Sequence, residues 1–222
     1  MKKWQKSTLI VTWIAACIVI SVIYCEVKRL DIAIDEGEFC DALYNENVDT
    51  KVIISSATFD ECIFEGIDFS KIELRNVDML DVIFKNCDLS NKCFDKQFIE
   101  RVRFVDCKLV GTSFIDGNLR DIEFINCNVK YANFSDSKIK NIKISGSEFS
   151  EVTFNAADIK NAQFSDCKFC NSEFVRVHHD KLDFTDCDIM RINFDISSLK
   201  NIVINSFQCY NIVGMFGVEV VD

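Results

Sequence analysis

The chain has 222 residues, a net charge of −10, no proline and seven glycines. Its length allows one or two domains, and its acidic balance excludes a general nucleic-acid binder, whose phosphate contacts need clustered Lys and Arg. Average usage of about 5% would place roughly eleven prolines in such a chain, so their absence points to a backbone whose N–H groups are committed to ladders almost throughout.

Met1 to Lys6 carries three lysines, and Thr8 to Cys25 follows as eighteen residues without a charge. As a helix this stretch spans about 27 Å, close to the hydrocarbon thickness of a bilayer, and it is apolar on all sides. It predicts a transmembrane helix over about 8–27 within a membrane anchor of residues 1–29, hence a single-pass membrane location. A cleavable signal or lipoprotein peptide, with Ile14-Ala15-Ala16-Cys17 as its box, and a buried capping helix are the alternatives. The flanking lysines favour an outside body, whereas twelve cysteines suit a reducing compartment, so the side of the membrane is left open.

A period of five then takes over. Ile34, Phe39, Tyr44 and Ile54 keep its phase, with Asp49 as the failure, and from Phe59 to Ile204 thirty consecutive fifth residues are apolar except His179. A second small or aliphatic class sits two residues before each centre, as at Cys62, Ile67, Val82 and Ala132, and the other positions are mostly polar. Neither 3.6 nor 2.0 residues per repeat explains this period, but a solenoid with five residues per side and four sides per turn does. The seven acidic residues from Asp31 to Asp49, with no basic one among them, fit an imperfect first coil whose charges guard an open ladder edge. An acidic docking surface is the alternative.

Units such as Ala132-Asn133-Phe134-Ser135-Asp136 and Cys87-Asp88-Leu89-Ser90-Asn91 resemble the pentapeptide repeat family. The resemblance implies an all-β fold, a right-handed quadrilateral parallel β-helix, over residues 30–205. Residues twenty apart then stack on one side. Phe84, Phe104, Phe124, Phe164 and Phe184 form one column of the core, and Phe134, Phe154 and Phe174 belong to the opposite one.

Few constellations carry chemistry. Cys87, Cys107, Cys127, Cys167 and Cys187 fall on one stacked corner with Ser147, where Cys serves as a small hydrophobe of the right volume. Disulfides are disfavoured there because neighbouring Cβ vectors run parallel. Cys167 and Cys170 spell CxxC, yet the phase points one inward and the other outward, against a shared zinc. His179 reads as a hydrogen-bonded core imidazole or as part of a bulge at Val177 to Lys181. No metal, cofactor or enzyme activity is expected.

After Ile204 the period ends. Ser206 as N-cap and Gly217 as stop predict a short C-terminal capping helix and then a short strand, within a cap and dimerisation segment of residues 206–222. The order Ser206-Phe207-Gln208, an apolar helix, then Phe216-Gly217-Val218-Glu219-Val220 resembles the tail of quinolone-resistance (Qnr-type) pentapeptide repeat proteins. That resemblance implies a homodimer through Phe207, Ile212, Phe216 and Val218, and a DNA-mimicking rod that binds gyrase or topoisomerase IV. From residue 57 to 205 the surface carries 25 Asp and Glu against 19 Lys and Arg. The expected function is a non-enzymatic, membrane-anchored, protein-binding scaffold with no direct nucleic-acid contact. The DNA mimic, with a type II topoisomerase as its protein partner, is the alternative.

Overall fold

The computed structural model describes residues 26–219, and within them the period of five becomes a parallel β-solenoid of about nine turns. The rule that builds it is local. The residue two after a centre turns the corner in the left-handed backbone region, as at Asp81 (φ 54°), Asn126 (φ 53°), Asp136 (φ 59°) and Gly146 (φ 58°). Asn, Asp and Gly tolerate this region best, which accounts for their abundance at that position. At Gly146 a side chain would also meet Asn126 Oδ1, 2.5 Å from where its Cβ would stand.

Each coil therefore turns four corners and comes back into register after twenty residues. The pairs Phe39↔Phe59, Met79↔Ile99, Leu119↔Ile139 and Phe124↔Ile144 are all parallel and all offset by that number. Two walls are continuous ladders. The Phe59 wall pairs from Phe39 through Ile99 and Leu119 to His179, and the Phe64 wall from Tyr44 through Phe84 and Phe124 to Phe164. The Phe69 wall is joined instead by isolated bridges such as Lys108↔Asn128, and so is the middle of the Phe94 wall, as at Ser113↔Asn133, with strand pairs at Ile54↔Leu74 and Phe174↔Phe194 toward its ends. In the middle coils the corners leaving those two walls close as hydrogen-bonded turns. Thr112 N–H donates to Leu109 O at 3.2 Å and Gly117 N–H to Phe114 O at 3.1 Å. Such turns interrupt the strand, whereas the strand Asn118–Ile125 runs through its corner unbroken.

The interior is a stack of rings. Phe84, Phe104 and Phe124 lie nearly parallel with centroids 5.2 and 5.0 Å apart, and Phe134 and Phe154 do the same at 4.9 Å. Strand spacing fixes this repeat, and each buried ring contributes about 1.5–3 kcal/mol before entropy is set against it. One expected core residue departs. Phe164 is only partly buried, because the strand Asp158–Ser165 pairs with the next coil at His178 and His179 alone, while Leu182–Asp183 pairs onward with Ile202–Val203. The ladder is open at that point, and Asn161 N–H donates to the Asp180 carboxylate at 3.3 Å in place of a backbone partner.

Both ends are closed by helices. α1, Leu30–Glu36, buries Leu30 and Ala33 on the first coil and stops at Gly37 in the left-handed region. Ile34, in phase with the repeat, thus belongs to a helix, and the strands reach further back, with Glu26–Val27 pairing to Ala42–Leu43. α2, Ser206–Gly214, closes the other end. Its N-cap is Asn205, one residue earlier than the sequence predicts, because Asn205 and Gln208 form a reciprocal capping box. Residues 218–219 form no strand, and 220–222 lie outside the described residues.

The single-pass membrane expectation is corrected. No helix among the described residues is long and apolar enough to cross a membrane. Residues 26–27, the end of the helix expected over about 8–27, are a strand of the solenoid, and residues 8–25 lie outside the described residues.

Candidate binding surfaces

The interior is sealed by polar rungs. Cys87 Sγ donates to Phe64 O at 3.3 Å, Cys107 to Phe84 O at 3.3 Å, Cys127 to Phe104 O at 3.3 Å and Cys167 to Ile144 O at 3.2 Å. Ser147 takes the same place, its hydroxyl donating to Ser145 O at 2.8 Å and accepting Cys127 N–H at 2.9 Å. Thr112 and Ser172 play the part at another corner. The row thus fills volume as expected and also satisfies backbone groups that the corner takes out of the ladder. Its hydrogen bonds to neighbouring thiols, together with burial, push the Cys87 thiol up, and the bond with Cys127 pushes Cys107 up to about 12. The thiols of the row, Cys87, Cys107, Cys127, Cys167 and Cys187, form no disulfides.

Cys167 is buried while Cys170 reaches the surface, so the CxxC pair does not converge. Among the described residues no group of three His, Cys, Asp or Glu is placed to hold a metal ion. His179 sits in register with Ile159, and its Nε2 is 2.9 Å from Ser198 O, which is the hydrogen-bonded imidazole of the two sequence readings.

The C-terminal end is different in kind. Gln208 is buried, and its side-chain amide donates to Phe184 O and Cys187 O, both at 2.7 Å, which plugs the last coil. Around this plug the outer surface of the end is apolar. Phe207 is 84% exposed, Phe216 48% and Val218 52%, with Tyr210 beside them at 55%. Of the four expected dimer residues three therefore face solvent, whereas Ile212 turns inward onto the core. Tyr210 and Ile196 were not among the expected contact residues, and neither stands in the repeat phase that organises the reading.

A model of a pentapeptide repeat region matches residues 77–154, and a model of eight pentapeptide repeats matches residues 53–91 and 147–177. The chain belongs to the pentapeptide repeat family. No protein of curated function matches it. Among solved structures, full-length QnrB1, a plasmid-mediated fluoroquinolone resistance protein, is 16% identical over 81% of this chain and 89% of its own, with a TM-score of 0.36. HetL, a pentapeptide repeat protein involved in heterocyst differentiation regulation from the cyanobacterium Nostoc sp., is 13% identical over 74% and 85%, with a TM-score of 0.32.

Proposed function

We propose that the chain is a non-enzymatic binding rod, a scaffold that offers its walls to another protein and joins to a second copy through its C-terminal end. The observation that carries this reading is the apolar surface around the Gln208 plug. Four large apolar side chains stand in water on one short segment, whereas the other exposed large apolar residues are scattered along the rod. Such clusters mark interaction sites, and aromatic residues are favoured at their centres. The titratable groups, in contrast, are spread over an outward-facing rod instead of converging in a pocket that would desolvate them.

Sedimentation equilibrium tests the joining step. In 0.5 M salt, which screens contacts between charged walls, the full chain should double in mass with concentration, and Phe207→Asp with Phe216→Asp should abolish that step without lowering the melting temperature. A parent that keeps its single mass, or a double variant that still doubles, overturns the C-terminal contact.

The Qnr-like tail supports a second reading, a rod that takes the place of DNA on a type II topoisomerase. A gyrase supercoiling assay separates the two. With 25 acidic against 19 basic residues from 57 to 205, the rod is a poor likeness of a polyphosphate, and no inhibition at micromolar concentration is expected. Inhibition, or protection from a quinolone, would establish the second reading over the first.

A further inference from the structure

The walls differ in how they carry charge. On the Phe59 wall the outward positions are the two neighbours of each centre and the corner residue that follows. In the coils centred on Phe39, Phe59 and Met79 these positions hold Glu38, Asp41, Asp60, Glu61, Asp78 and Asp81, with no Lys or Arg. In the next two coils Glu100, Arg101, Arg120 and Asp121 balance. In the coils centred on Ile139, Ile159 and His179 the same positions hold Lys138, Lys140, Lys160 and Lys181 against Asp158 and Asp180. One continuous sheet is acidic at one end and basic at the other.

Like charges are neighbours at both ends, partly offset by ion pairs such as Arg101–Asp81, Arg120–Glu100 and Lys160–Asp158. Arg120, Lys140 and Lys160 are direct partners in consecutive strands, about 4.8 Å apart, and like charges placed so are destabilising. Lys140 has no carboxylate partner among the described residues. At the acidic end Asp41, Glu61 and Asp81 follow one another on a single corner. The hydrogen bond and charge of Asp41 hold the Glu61 carboxyl above the usual range. Arg101 pairs with both carboxylate oxygens of Asp81 and with Glu100, at the inner edge of the acidic end.

We propose that the Phe59 wall is a self-recognition surface on which a second copy of this chain lies antiparallel. A two-fold axis lying in the interface, across the rod and between the Ile99 and Leu119 coils, sets the Met79 coil against the Ile139 coil of the other copy. It likewise sets the Phe59 coil against Ile159, and Phe39 against His179. Asp78 and Asp81 then face Lys138 and Lys140, Asp60 and Glu61 face Lys160, and Glu38 and Asp41 face Lys181. Phe98, 37% exposed, and the partly exposed Leu80 lie beside the axis and supply its apolar contact. A polyanion would satisfy the lysines but meet six carboxylates on the same wall. A copy of the wall satisfies both ends at once, as an isologous interface does. At about 0.1 M salt the Debye length is roughly 10 Å, so the facing pairs act while the net charges of the two rods are largely screened.

The test uses the full-length chain carrying Phe207→Asp, so that loss of the C-terminal contact and loss of this one are read separately. Sedimentation equilibrium should show association that weakens in 0.5 M salt. Lys138→Glu, Lys140→Glu and Lys160→Glu together make the whole wall acidic, and Asp60→Lys, Glu61→Lys and Asp78→Lys together make it basic. Each set should raise the dissociation constant at least about ten-fold, and an equimolar mixture of the two should restore a dimer of one copy of each. All six positions are at the surface, and unchanged melting curves verify the fold. A parent that does not associate, reversed variants that associate as the parent does, or a mixture that fails to rescue would overturn the proposal. So would lysine-dependent binding of duplex DNA by a parent that does not self-associate.

Discussion

The two ends of the rod meet the same problem with opposite chemistry. At the N-terminal end α1 lays Leu30 and Ala33 on the first coil and turns Asp31, Asp35 and Glu36 outward. At the C-terminal end α2 inserts a polar group, Gln208, into the last coil and turns Phe207 and Tyr210 outward. Both close an open ladder, which a solenoid requires if it is not to stack without limit. One end is closed by apolar burial under a charged exterior, the other by hydrogen bonds under an apolar exterior. Capping and an apolar exterior are therefore separable properties, and the C-terminal cap carries both.

The comparison breaks most severely at Leu30. Leu30→Asp places a charge against the first coil and should cost about 3 kcal/mol or more, read as a large fall in the urea midpoint, with oligomeric state unchanged in the remaining folded fraction. An unaffected midpoint would mean that α1 does not seal the end. At the opposite end Gln208→Leu keeps the helix but leaves Phe184 O and Cys187 O without their donor, and should cost about 1–3 kcal/mol. Hydrogen exchange should localise that loss to the last coil. Uniform loss along the rod would contradict a local plug.

The smallest effect sharpens the contrast through pH. Asp195, near the C-terminal end, accepts hydrogen bonds from the Ser197 and Ser198 hydroxyls and from Arg176 N–H, which hold its carboxyl well below the usual range. Its folded value lies under the unfolded one, so its contribution is present above the ordinary carboxylate range and lost as pH falls. Glu61, toward the N-terminal end, is displaced upward by Asp41, so its contribution is present at low pH and lost as pH rises. Carboxyl NMR titration should place the Glu61 midpoint above the Asp195 midpoint, and Asp41→Asn should lower the former alone. Identical Glu61 midpoints in parent and variant would remove Asp41 as the cause.

Most of the interior was legible in the sequence because a solenoid is a one-dimensional code. Position within the repeat decides burial for Phe104 and Phe134 alike, whatever their distance along the chain. The code failed where a neighbouring coil, and not the repeat itself, decides the outcome. Ile34 keeps the phase, yet the first coil has no coil before it and is covered by a helix instead. Phe164 keeps it too, but loses its shelter because pairing to the following coil stops after His179, and Leu182–Asp183 pairs onward alone. The cysteine row was readable as volume. Its hydrogen-bonding role was signalled by Ser147, Thr112 and Ser172 in equivalent places, since hydroxyls do not replace hydrophobes for size alone. Of the binding surfaces, the tail motif pointed to the exposed Phe207 and Phe216, whereas the polarity of the Phe59 wall emerges only when residues twenty apart are laid side by side.

The twenty-residue register has a consequence for how such a rod can change length. Excising twenty residues, for example 120–139, removes one coil and returns every later residue to its own wall, so the paired columns close up with their neighbours one step nearer. Excising five keeps every centre buried yet rotates the remainder of the molecule by a quarter turn, carrying Lys140 and Lys160 around the rod to a different side. The interior meets the second event only as a mixing of its ring and aliphatic columns, whereas the exterior loses its charge register altogether. Selection on what the surface touches would therefore register as whole multiples of twenty in the spacing of lineages, even though folding alone would tolerate any multiple of five.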